Sequence, residues 1–556
     1  MKRRFLGSVI LLMTLLSGCG SSENSKEIVK NYGGVFKYCE NNRINIIHPP
    51  LISNPSAKRI ASQVFEGLVK LDAENLEVMP CIAEKISFNP DNFTYTFNIK
   101  KGVFFHDDPC FENGVGREVI SDDIIFTFKQ LCTNQLINSS YYNALKGVVT
   151  GADSYFNGEG SNISGIKRIN DYQLEIKLNK PNSSFLKKIA SVNFGIIAKE
   201  AVMKYGLKNK VGTGPFIPQP FDSYNDQYIL VKNKNYHRSD KFGNQLPFLD
   251  SIKIVFELGI KQQMNAVAKG ELSTALNLSV KAVKRVLKDH KDLFDKKIKL
   301  QNSTFLSTCF IECNLNSPKL KNKNFRKALN YAIDKSILTH IAFGETRGKI
   351  GNIGITHPSI LEYRTGRING YSYNLDSAKA YLNKANFDEI PSLEIEIGEN
   401  DFKAQGISNE LQLQLDQHLG VQLKINIVPE RYKLEKTRYA RSELAISYVV
   451  SEYESPEGFL NMFYSKGIPT NLDIPSYPNT TRFKNRSFDK MMDRGRRSVD
   501  SENANRSFAS AERLLMEEAP IIVLWYEEVN RLVDSNVEGF PLNKLLYLDL
   551  SEVYLK

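Results

Sequence analysis

The sequence lacks the short motifs by which most hydrolases, metalloenzymes and nucleotide-binding enzymes are recognised. It contains no GxSxG nucleophile elbow, no HExxH zinc pair and no GxxxxGK(S/T) phosphate loop. Its seven histidines are dispersed, and neither a CxxC pair nor a compact Cys/His cluster is present. These absences argue against an enzyme, a metal site and a cofactor, and we expect none of the three.

Two features come near to a catalytic signature. The run Gly212–Pro215 is rich in glycine, but Pro215 and the strand-like residues after it do not open a helix, which a phosphate cradle requires. His106 stands beside Asp107 and Asp108, a grouping that suits a metal or acid/base role as well as a turn after the preceding strand. We favour a turn at both positions.

Long apolar segments and blocks of like charge are also missing. After the N-terminus no apolar run approaches the ~20 residues that cross a bilayer, and the longest late run, 520–526, is typical of a buried strand. Lys and Arg outnumber Asp and Glu by 73 to 62, but they are scattered, with modest local excesses at 281–299 and 319–323. A nucleic-acid binder would concentrate such charge in a stripe or tail, so we expect no nucleic-acid partner.

The N-terminus carries an export signal. Lys2–Arg4 form a positive region, and Phe5–Leu16 form an apolar stretch that is too short to span a bilayer and is typical of a secretory signal. The run Leu16–Cys19 (LSGC) resembles the lipobox of bacterial lipoproteins. The alternative is an ordinary secretory signal in which the cysteine is incidental.

The lipobox implies a signal peptide over 1–18, a diacylglycerol on Cys19 and a lipidated polar tether over 19–29. Two or more acyl chains hold a protein stably at a membrane, where one is marginal. We therefore expect a lipid-anchored protein of the cell envelope, exposed to the periplasm or to the outer surface of a single-membrane bacterium. The sequence leaves open which membrane holds the anchor.

Six cysteines follow Cys19, and an even number in an exported chain permits disulfides without revealing their connectivity. Cys309 and Cys313 lie in what is predicted to be one strand, where four residues span about 13 Å, too far for these two to pair with each other. The others are Cys39, Cys81, Cys110 and Cys132.

Strand-like and helix-like segments alternate along the rest of the chain, which predicts an α/β or α+β architecture. Residues 93–99 alternate apolar and polar side chains as a half-buried strand does. Ser121 is the expected N-cap of a helix that begins with two aspartates. Apolar residues at helical spacing predict further helices near 325–333, 407–419 and 508–515, each stripe best explained by core packing.

Several blocks, in chain order, resemble the solute-binding proteins of family 5, the peptide- and nickel-binding receptors of ABC importers, and within that family the oligopeptide-binding type. The strongest block is Arg326–Asp334 (RKALNYAID), and Val211–Phe216 (VGTGPF) is another hallmark. The matches extend over nearly the whole mature chain. The remaining blocks are Val64–Val69, Pro80 with Ala83–Glu84, Tyr95–Phe97, Lys101–Val103, Phe105–Asp107, Ser121–Ile124 with Phe126 and Phe128, Asn233, Asn235–Tyr236, Leu249–Asp250, Tyr373–Leu382, Glu512–Leu515 and Glu518–Ile521.

The resemblance implies a two-lobed, periplasmic-binding-protein-like clamshell of the α/β class (type II), with an extra third domain. Ligand is enclosed between lobes that close by a hinge motion. Mapped onto this chain, the expected units are lobe I (30–65, 183–257 and 523–556), the extra domain (66–182) and lobe II (258–522).

The resemblance also implies a ligand site. Peptide-binding members carry an aspartate, in an Ala-Asp-Tyr run of the second lobe, that pairs with the amino terminus of the peptide. Glu452 and Tyr453 match that acid and tyrosine, and Glu454 is a second candidate. A carboxylate would supply the charge-assisted hydrogen bond that an ammonium taken out of water needs. The alternative for Glu452 is a surface acid in a loop.

Two departures from the family pattern concern this site. The tryptophan shortly before the acid is replaced around Val449–Val450, and a basic residue further upstream is replaced by Ile446. A less aromatic pocket without that cation puts the docking of a short peptide's carboxyl end in doubt. A longer peptide or another amine-bearing ligand such as glutathione fits as well.

The function expected from these features is that of a monomeric, lipid-anchored receptor that captures peptides and delivers them to an ABC transporter permease. The same transport role for glutathione, a nickel chelate, haem or a glycan is the alternative. An exported hydrolase that uses scattered acids is a more remote one.

Overall fold

The computed structural model describes residues 31–556 apart from 42, 45, 53, 134–139, 279–282, 284–287, 289–296, 345–348, 361–362, 364–367 and 499. The predicted signal peptide (1–18), the lipidation candidate Cys19 and the tether to residue 29 lie outside the described residues. Helices and strands alternate throughout the described part, as the sequence predicts.

The strands differ greatly in length, and two of them are more than twice as long as most others. In chain order they are β1 Val35–Glu40, β2 Val69–Leu71, β3 Val78–Pro80, β4 Ala83–Asn89, β5 Thr94–Ile99, β6 Ile166–Asn170, β7 Gln173–Lys177, β8 Phe216–Pro218, β9 Gln227–Lys232, β10 Ser251–Phe256, β11 Thr274–Leu278, β12 Ile298–Cys313, β13 Lys349–Ile350, β14 Leu393–Gly398, β15 Leu423–Val428, β16 Leu444–Val450, β17 Ile521–Asp534, β18 Val537–Glu538 and β19 Tyr554–Leu555.

The described α-helices are Pro55–Ala61, Ser121–Leu131, Ala152–Phe156, Phe185–Ile189, Lys199–Tyr205, Ile260–Ala268, Lys323–Ala332, Lys335–Phe343, Leu375–Ala385, Phe402–Leu419, Glu430–Arg438, Glu457–Leu460, Arg486–Arg497 and Ser501–Glu518. Short 3₁₀ helices occupy Pro49–Leu51, Glu112–Gly114, Val192–Phe194, Gly206–Lys208, Asn461–Phe463 and Ser465–Gly467, and Tyr141–Leu145 forms a π-helix.

The largest sheet of the described chain has 11 strands, in the order β15-β14-β16-β12-β17-β11-β1-β10-β9-β8, with β13 paired to β17 beside this path. The long strands β12 and β17 lie in the middle. We call β11, β1, β10, β9 and β8 the first half of the sheet, and β16, β14 and β15 the second half. Parallel pairs occur in both halves, between β1 and β10 and between β14 and β15.

The two halves are joined through β12 and β17. These strands pair antiparallel over nearly their full lengths, but the register shifts between the pairs Thr304–Glu528 and Thr308–Tyr526. On one side of the shift β17 pairs with β11, and on the other side β12 pairs with β16. A register shift of this kind disrupts the ladder locally and bends the strands, so the two halves of the sheet meet at an irregular junction.

A second, four-stranded sheet has the order β4-β5-β7-β6. Its strand β5 confirms the alternating pattern predicted over 93–99. Apolar side chains of this sheet share one core with the helices Ser121–Leu131 and Phe185–Ile189. Separate cores pack against the first half of the large sheet and against its second half.

The helix predicted to begin at Ser121 is present, but Ser121 is its first helical residue and Ile120 is the N-cap. The side chain of Ser121 is turned away to donate to the carbonyl of Asn170 at 2.6 Å. Asp123 accepts the backbone N–H of Ile120 at 3.0 Å in its place. The capping interaction therefore comes from the acid in the first turn and not from the serine.

The glycine-rich run 212–215 forms a tight turn that precedes β8, and no helix follows it. A side-chain carbon on Gly212 would lie only 2.0 Å from the carbonyl oxygen of Val64, so the close approach of the two segments requires glycine. His106 is buried with Nε2 2.9 Å from the carbonyl oxygen of Gly214, and burial lowers its pKa to about 4. The bend at 213–215 agrees with the turn expected there, whereas His106 lies in an irregular segment and the nearest following turn is at 109–110.

The block Arg326–Asp334 belongs to the anchoring of β17. The guanidinium of Arg326 donates to the carbonyl of Ala519 at 3.0 Å and to that of Leu320 at 2.6 Å. Asn330 donates to the carbonyl of Ile521, the first residue of β17, at 3.0 Å. These polar side chains are buried, and their donors are satisfied by backbone carbonyls, as buried polar groups require.

The six cysteines after Cys19 are all free thiols in the described chain. Cys309 and Cys313 share the strand β12, as predicted. Apart from Cys110, which is partly exposed, all of them are buried, where a cysteine behaves as a small apolar side chain.

Candidate functional site

Glu452 lies in a short loop that leaves the end of β16 at the junction between the two halves of the large sheet. The loop is held by local hydrogen bonds: the N–H of Ser451 donates to the carbonyl of Leu306 at 2.9 Å, and the Ser451 hydroxyl donates to the carbonyl of Tyr453 at 2.6 Å. The helix Glu457–Leu460 packs so closely on this loop that a side-chain carbon on Gly458 would meet the Ser451 hydroxyl at 2.0 Å. These contacts fix the backbone position from which the Glu452 side chain extends.

The carboxylate of Glu452 forms an ion pair with the ammonium of Lys58. Lys58 belongs to the helix Pro55–Ala61, whose apolar side packs in the core of the first half of the sheet. The two side chains remain 37% and 29% exposed, so the pair faces solvent. Glu452 is thus a carboxylate presented across the junction between the halves, with a cation already against it.

The helix that carries Lys58 is itself held firmly. Asn54 caps it by accepting the N–H of Ala57 at 2.8 Å. Arg59, the next residue after Lys58, donates to the buried carboxylate of Glu40 on β1 at 2.7 Å through Nε. The buried ion pair of Arg59 and the cap by Asn54 therefore fix the helix backbone from which the Lys58 side chain extends.

Tyr453 is buried, 7% exposed, and its ring centroid lies 5.9 Å from the Nζ atom of Lys188. Burial raises the pKa of the phenol well above its ordinary value, so the ring stays neutral. With Glu452 it lines a small cavity of about 60 Å³. Tyr453 is therefore part of a wall and carries no charge of its own.

Glu454 is paired with a different cation from the one that meets Glu452. Its carboxylate accepts from Lys544 at 2.7 Å, and its backbone carbonyl accepts from Lys187 at 3.3 Å. Lys544 also donates to the carbonyl of Ser359 at 2.9 Å. This arrangement ties the loop to the segment after β17 and favours a structural role for Glu454.

Glu457, which the sequence did not single out, is the most buried acid of the region, with no exposed side-chain surface. It accepts from Lys188 at 2.8 Å and from Arg496 at 2.8 Å. Burial alone would raise its pKa, but the two cations overcome this and lower the pKa to about 2. The only sequence signal was its position in the run that follows the candidate acid.

The cluster of Lys188, Glu457 and Arg496, called here the buried triad, joins two packing units. Lys188 lies on the helix Phe185–Ile189 of the four-stranded sheet's core, whereas the helix Glu457–Leu460 packs in a core of the second half. The backbone carbonyl of Arg496 also accepts the N–H of Ser183 at 3.1 Å. The triad thus holds these units together close to Glu452.

The pH dependence of stability should report on the triad. The folded pKa of Glu457 is lowered from 4.5 to about 2, so its contribution is present above about pH 4.5 and is lost as the pH falls toward 2. We expect the difference in unfolding free energy between the wild type and Glu457→Gln to be constant from pH 7 to 5 and to shrink between pH 4.5 and 2.5. Urea unfolding at each pH measures it, and a difference that does not change with pH would contradict the assignment.

Two cavities lie beside this cluster. The small one, about 60 Å³, is lined by Glu452, Tyr453 and Lys188 among others. A larger one of about 320 Å³ lies between segments 142–153 and 180–188 on one side and 461–497 on the other. Both include Asn143, Lys188 and Asn461 in their walls, so the larger cavity lies next to the one that Glu452 lines.

The described residues contain no group of three or more His, Cys, Asp or Glu side chains arranged to hold a metal ion. None of their helices is both long and apolar enough to cross a membrane. Ion pairs of the described side chains surround the two cavities, among them Glu452 with Lys58 and Glu457 with Lys188.

Comparison with known proteins agrees with this arrangement. The family model of the bacterial extracellular solute-binding proteins, family 5 Middle, matches residues 77–471. The match covers more than half of the chain, and the chain therefore belongs to the family 5 extracellular solute-binding proteins. This family consists of solute-binding receptors and not of enzymes, in agreement with the expectation from the missing motifs.

Individual relatives span almost the whole length. Dipeptide-binding protein DppE of Bacillus subtilis is 23% identical over 565 residues, which covers 98% of this chain and 97% of its own. Heme-binding protein A of Haemophilus influenzae is 24% identical, with coverage of 94% and 93%. The periplasmic binding protein DppA of Helicobacter pylori, solved with the peptide STSA, superposes with a TM-score of 0.77 at 20% identity over 94% of this chain and 98% of its own. The predicted α/β, periplasmic-binding-protein-like fold is confirmed.

Proposed function

We propose that this protein captures peptides by their free amino terminus and delivers them to the permease of an ABC importer. The observation that carries the proposal is the Glu452 carboxylate, held at the junction of the two sheet halves against an ammonium, that of Lys58. Lys58 occupies the place that a ligand ammonium would take. The family membership and the peptide-binding relatives support the same function.

The chemistry of capture follows from the charge of the site. An ammonium that leaves water needs a partner of opposite charge, and a charge-assisted hydrogen bond to a carboxylate is among the stronger ones available. Glu452 is one methylene longer than aspartate, so it reaches further from its loop. Tyr453 gives the cavity a neutral wall, and Glu454 stabilises the loop from behind through Lys544.

We further propose that the units described above are the lobes of a clamshell. The first half of the large sheet belongs to lobe I, the four-stranded sheet to the extra domain, and the second half to lobe II. The pairing of β11 with β1 and β17 favours assigning residues 258–278 to lobe I, although the sequence suggested that lobe II begins at 258. Flexing at the irregular ladder of β12 and β17 would then open and close the cleft.

Anchoring through Cys19 and the monomeric state remain part of the proposal. A lipid anchor at the end of a polar tether of about 11 residues would keep the receptor near its permease, since a flexible tether holds the domain at a high local concentration. The relatives place such proteins in the extracellular or periplasmic space.

A haem ligand is the second candidate, because one relative that spans nearly the whole chain is named a heme-binding protein. Haem has no ammonium, so it would make no use of the Glu452 carboxylate. The charge of the site therefore favours an amine-bearing ligand, and glutathione fits that description as well as a peptide does.

The proposal is tested by calorimetric titration with tri-, tetra- and penta-alanine, each with a free or an acetylated amino terminus. Acetylation removes the charge that Glu452 would hold, and we expect it to weaken binding by at least tenfold. Equal binding of both forms, or binding of haem but of no peptide, would refute capture through the amine. Mass spectrometry of cargo retained on purification identifies the natural ligand independently.

A further inference from the structure

The larger cavity, of about 320 Å³, has an unusual excess of positive charge. Its described lining contains only two carboxylates, those of Asp153 and Asp493. Six cationic side chains face the same space: Lys146, Lys180, Lys188, Lys466, Arg496 and Arg497. Even when Glu457 of the buried triad is included, the cations outnumber the carboxylates by two to one.

Both lining carboxylates are engaged within the protein. Asp493 accepts from the hydroxyl of Tyr464 at 2.6 Å and from Lys466 at 3.2 Å. Asp153 accepts from the hydroxyl of Tyr141 at 2.8 Å and from the N–H of Gly147 at 3.0 Å. Neither forms an ion pair with Lys146 or Lys180, so the positive charge of those lysines is not balanced by the lining.

The cations of the cavity differ in whether they already form ion pairs within the protein. Lys188 and Arg496 are held in the triad, and the Arg496 guanidinium also lies 4.3 Å from the ring centroid of Tyr464. Lys146 and Lys180 are exposed and make no ion pair with another described residue; Lys146 lies over the ring of Tyr142 at 4.9 Å. The cavity thus combines buried cations that are already paired with exposed lysines that are not, and the latter can pair with an anion.

The cationic cavity lies close to Glu452. The two cavities share Asn143, Lys188 and Asn461 as wall residues, so the cationic space adjoins the cavity that Glu452 lines. The upstream basic residue of the family pattern is replaced by Ile446, which is fully buried and faces a core. The cationic cavity therefore lies where this chain can still offer a partner to a carboxylate.

We propose that the cationic cavity binds a carboxylate of the captured ligand, so that the receptor selects peptides that present an amine to Glu452 and an anionic group to Lys146 and Lys180. This inference rests on the proposed function. The volume of the cationic cavity lies at the lower end of the range of about 300–1,000 Å³ that is usual for small-molecule sites. Such a volume favours a short ligand. The carboxylate is either the carboxyl terminus or an acidic side chain.

The test uses alanine peptides of three to five residues in four forms, with each terminus free or blocked by acetylation or amidation. We expect amidation of the carboxyl terminus to weaken binding to the wild type by about tenfold. In Lys146→Gln/Lys180→Gln the free-acid peptide should bind about as weakly, and amidation should then have little further effect, since neighbours that share an interaction are not additive. Both lysines are exposed, so the variant keeps its fold.

The matched control is Lys261→Gln/Lys379→Gln, two exposed lysines on helices away from the cavity, which should leave all four affinities unchanged. A peptide amide that carries one glutamate, compared with its glutamine analogue, shows whether a side-chain carboxylate serves instead of the terminus. If neither amidation nor the glutamate changes affinity while acetylation does, the anion site is refuted and the amine site stands. If acetylation has no effect but amidation does, the amine site is refuted and the anion site stands. If no peptide binds, both sites are refuted.

Discussion

Replacement of Glu457 by glutamine is expected to lower the free energy of unfolding by about 3–5 kcal/mol, the usual cost of breaking a buried ion pair by removal of one partner. The carboxylate has no exposed surface and serves two cations, both of which are largely buried themselves. Glutamine keeps the shape but leaves Lys188 and Arg496 without a charge to oppose theirs. The loss therefore comes from uncompensated cations more than from the missing attraction.

Urea unfolding measures this effect, and the chain provides a convenient probe. Trp525 is the sole tryptophan and is fully buried on β17. Its fluorescence therefore reports on the cores that pack against the second half of the sheet, one of which includes the helix of Glu457. The control is Glu502→Gln, which removes an exposed ion pair with Arg506 on one helix turn. We expect at most about 0.5 kcal/mol there. A loss at Glu457 no larger than at Glu502 would show that the triad is not a stabilising element.

Replacement of Glu452 by glutamine is expected to weaken the binding of free-amine peptides by about 30-fold or more, because truncating one partner of a desolvated charge pair costs about 2–5 kcal/mol. Lys58→Met should have the opposite effect. It removes the ammonium that competes with the ligand, and since the pair is part-exposed, the gain should be at most about fivefold.

Titration calorimetry of both variants with the same peptide checks these expectations. Glu389→Gln, an exposed acid without a described ion pair, is the control and should bind as the wild type does. Unchanged affinity in Glu452→Gln would remove the basis of the proposed function. Weaker binding in Lys58→Met would show that Lys58 contacts the ligand and does not compete with it.

The match between sequence and structure is best where the signal is local. The apolar run at 520–526 predicted a buried strand, and β17 begins at Ile521. The helical stripe at 407–419 lies within the helix Phe402–Leu419. Ser121 missed its predicted cap position by one residue, because the choice between serine and Asp123 depends on the distant carbonyl of Asn170.

The separate roles of the candidate site residues could not be predicted from the sequence. Family resemblance pointed to the loop of Glu452, Tyr453 and Glu454, but it did not distinguish the three. The structure presents Glu452 to the cleft, turns Tyr453 into a wall and pairs Glu454 with Lys544. Those differences depend on which neighbours the loop meets, and these neighbours are far away in the chain.

By itself the sequence determined the order of helices and strands, the family and the loop that carries the candidate acid, because periodicity and collinear blocks are properties of neighbouring residues. The tertiary structure alone decided that Lys58 faces Glu452 across 394 positions and that Lys188 reaches Glu457 across 269. It also decided that six cations surround one cavity. Ion pairs and cavities depend on distances in space. Strands β12 and β17 join the two halves of the sheet and so bring together residues that are far apart in the chain, which no local sequence pattern can predict.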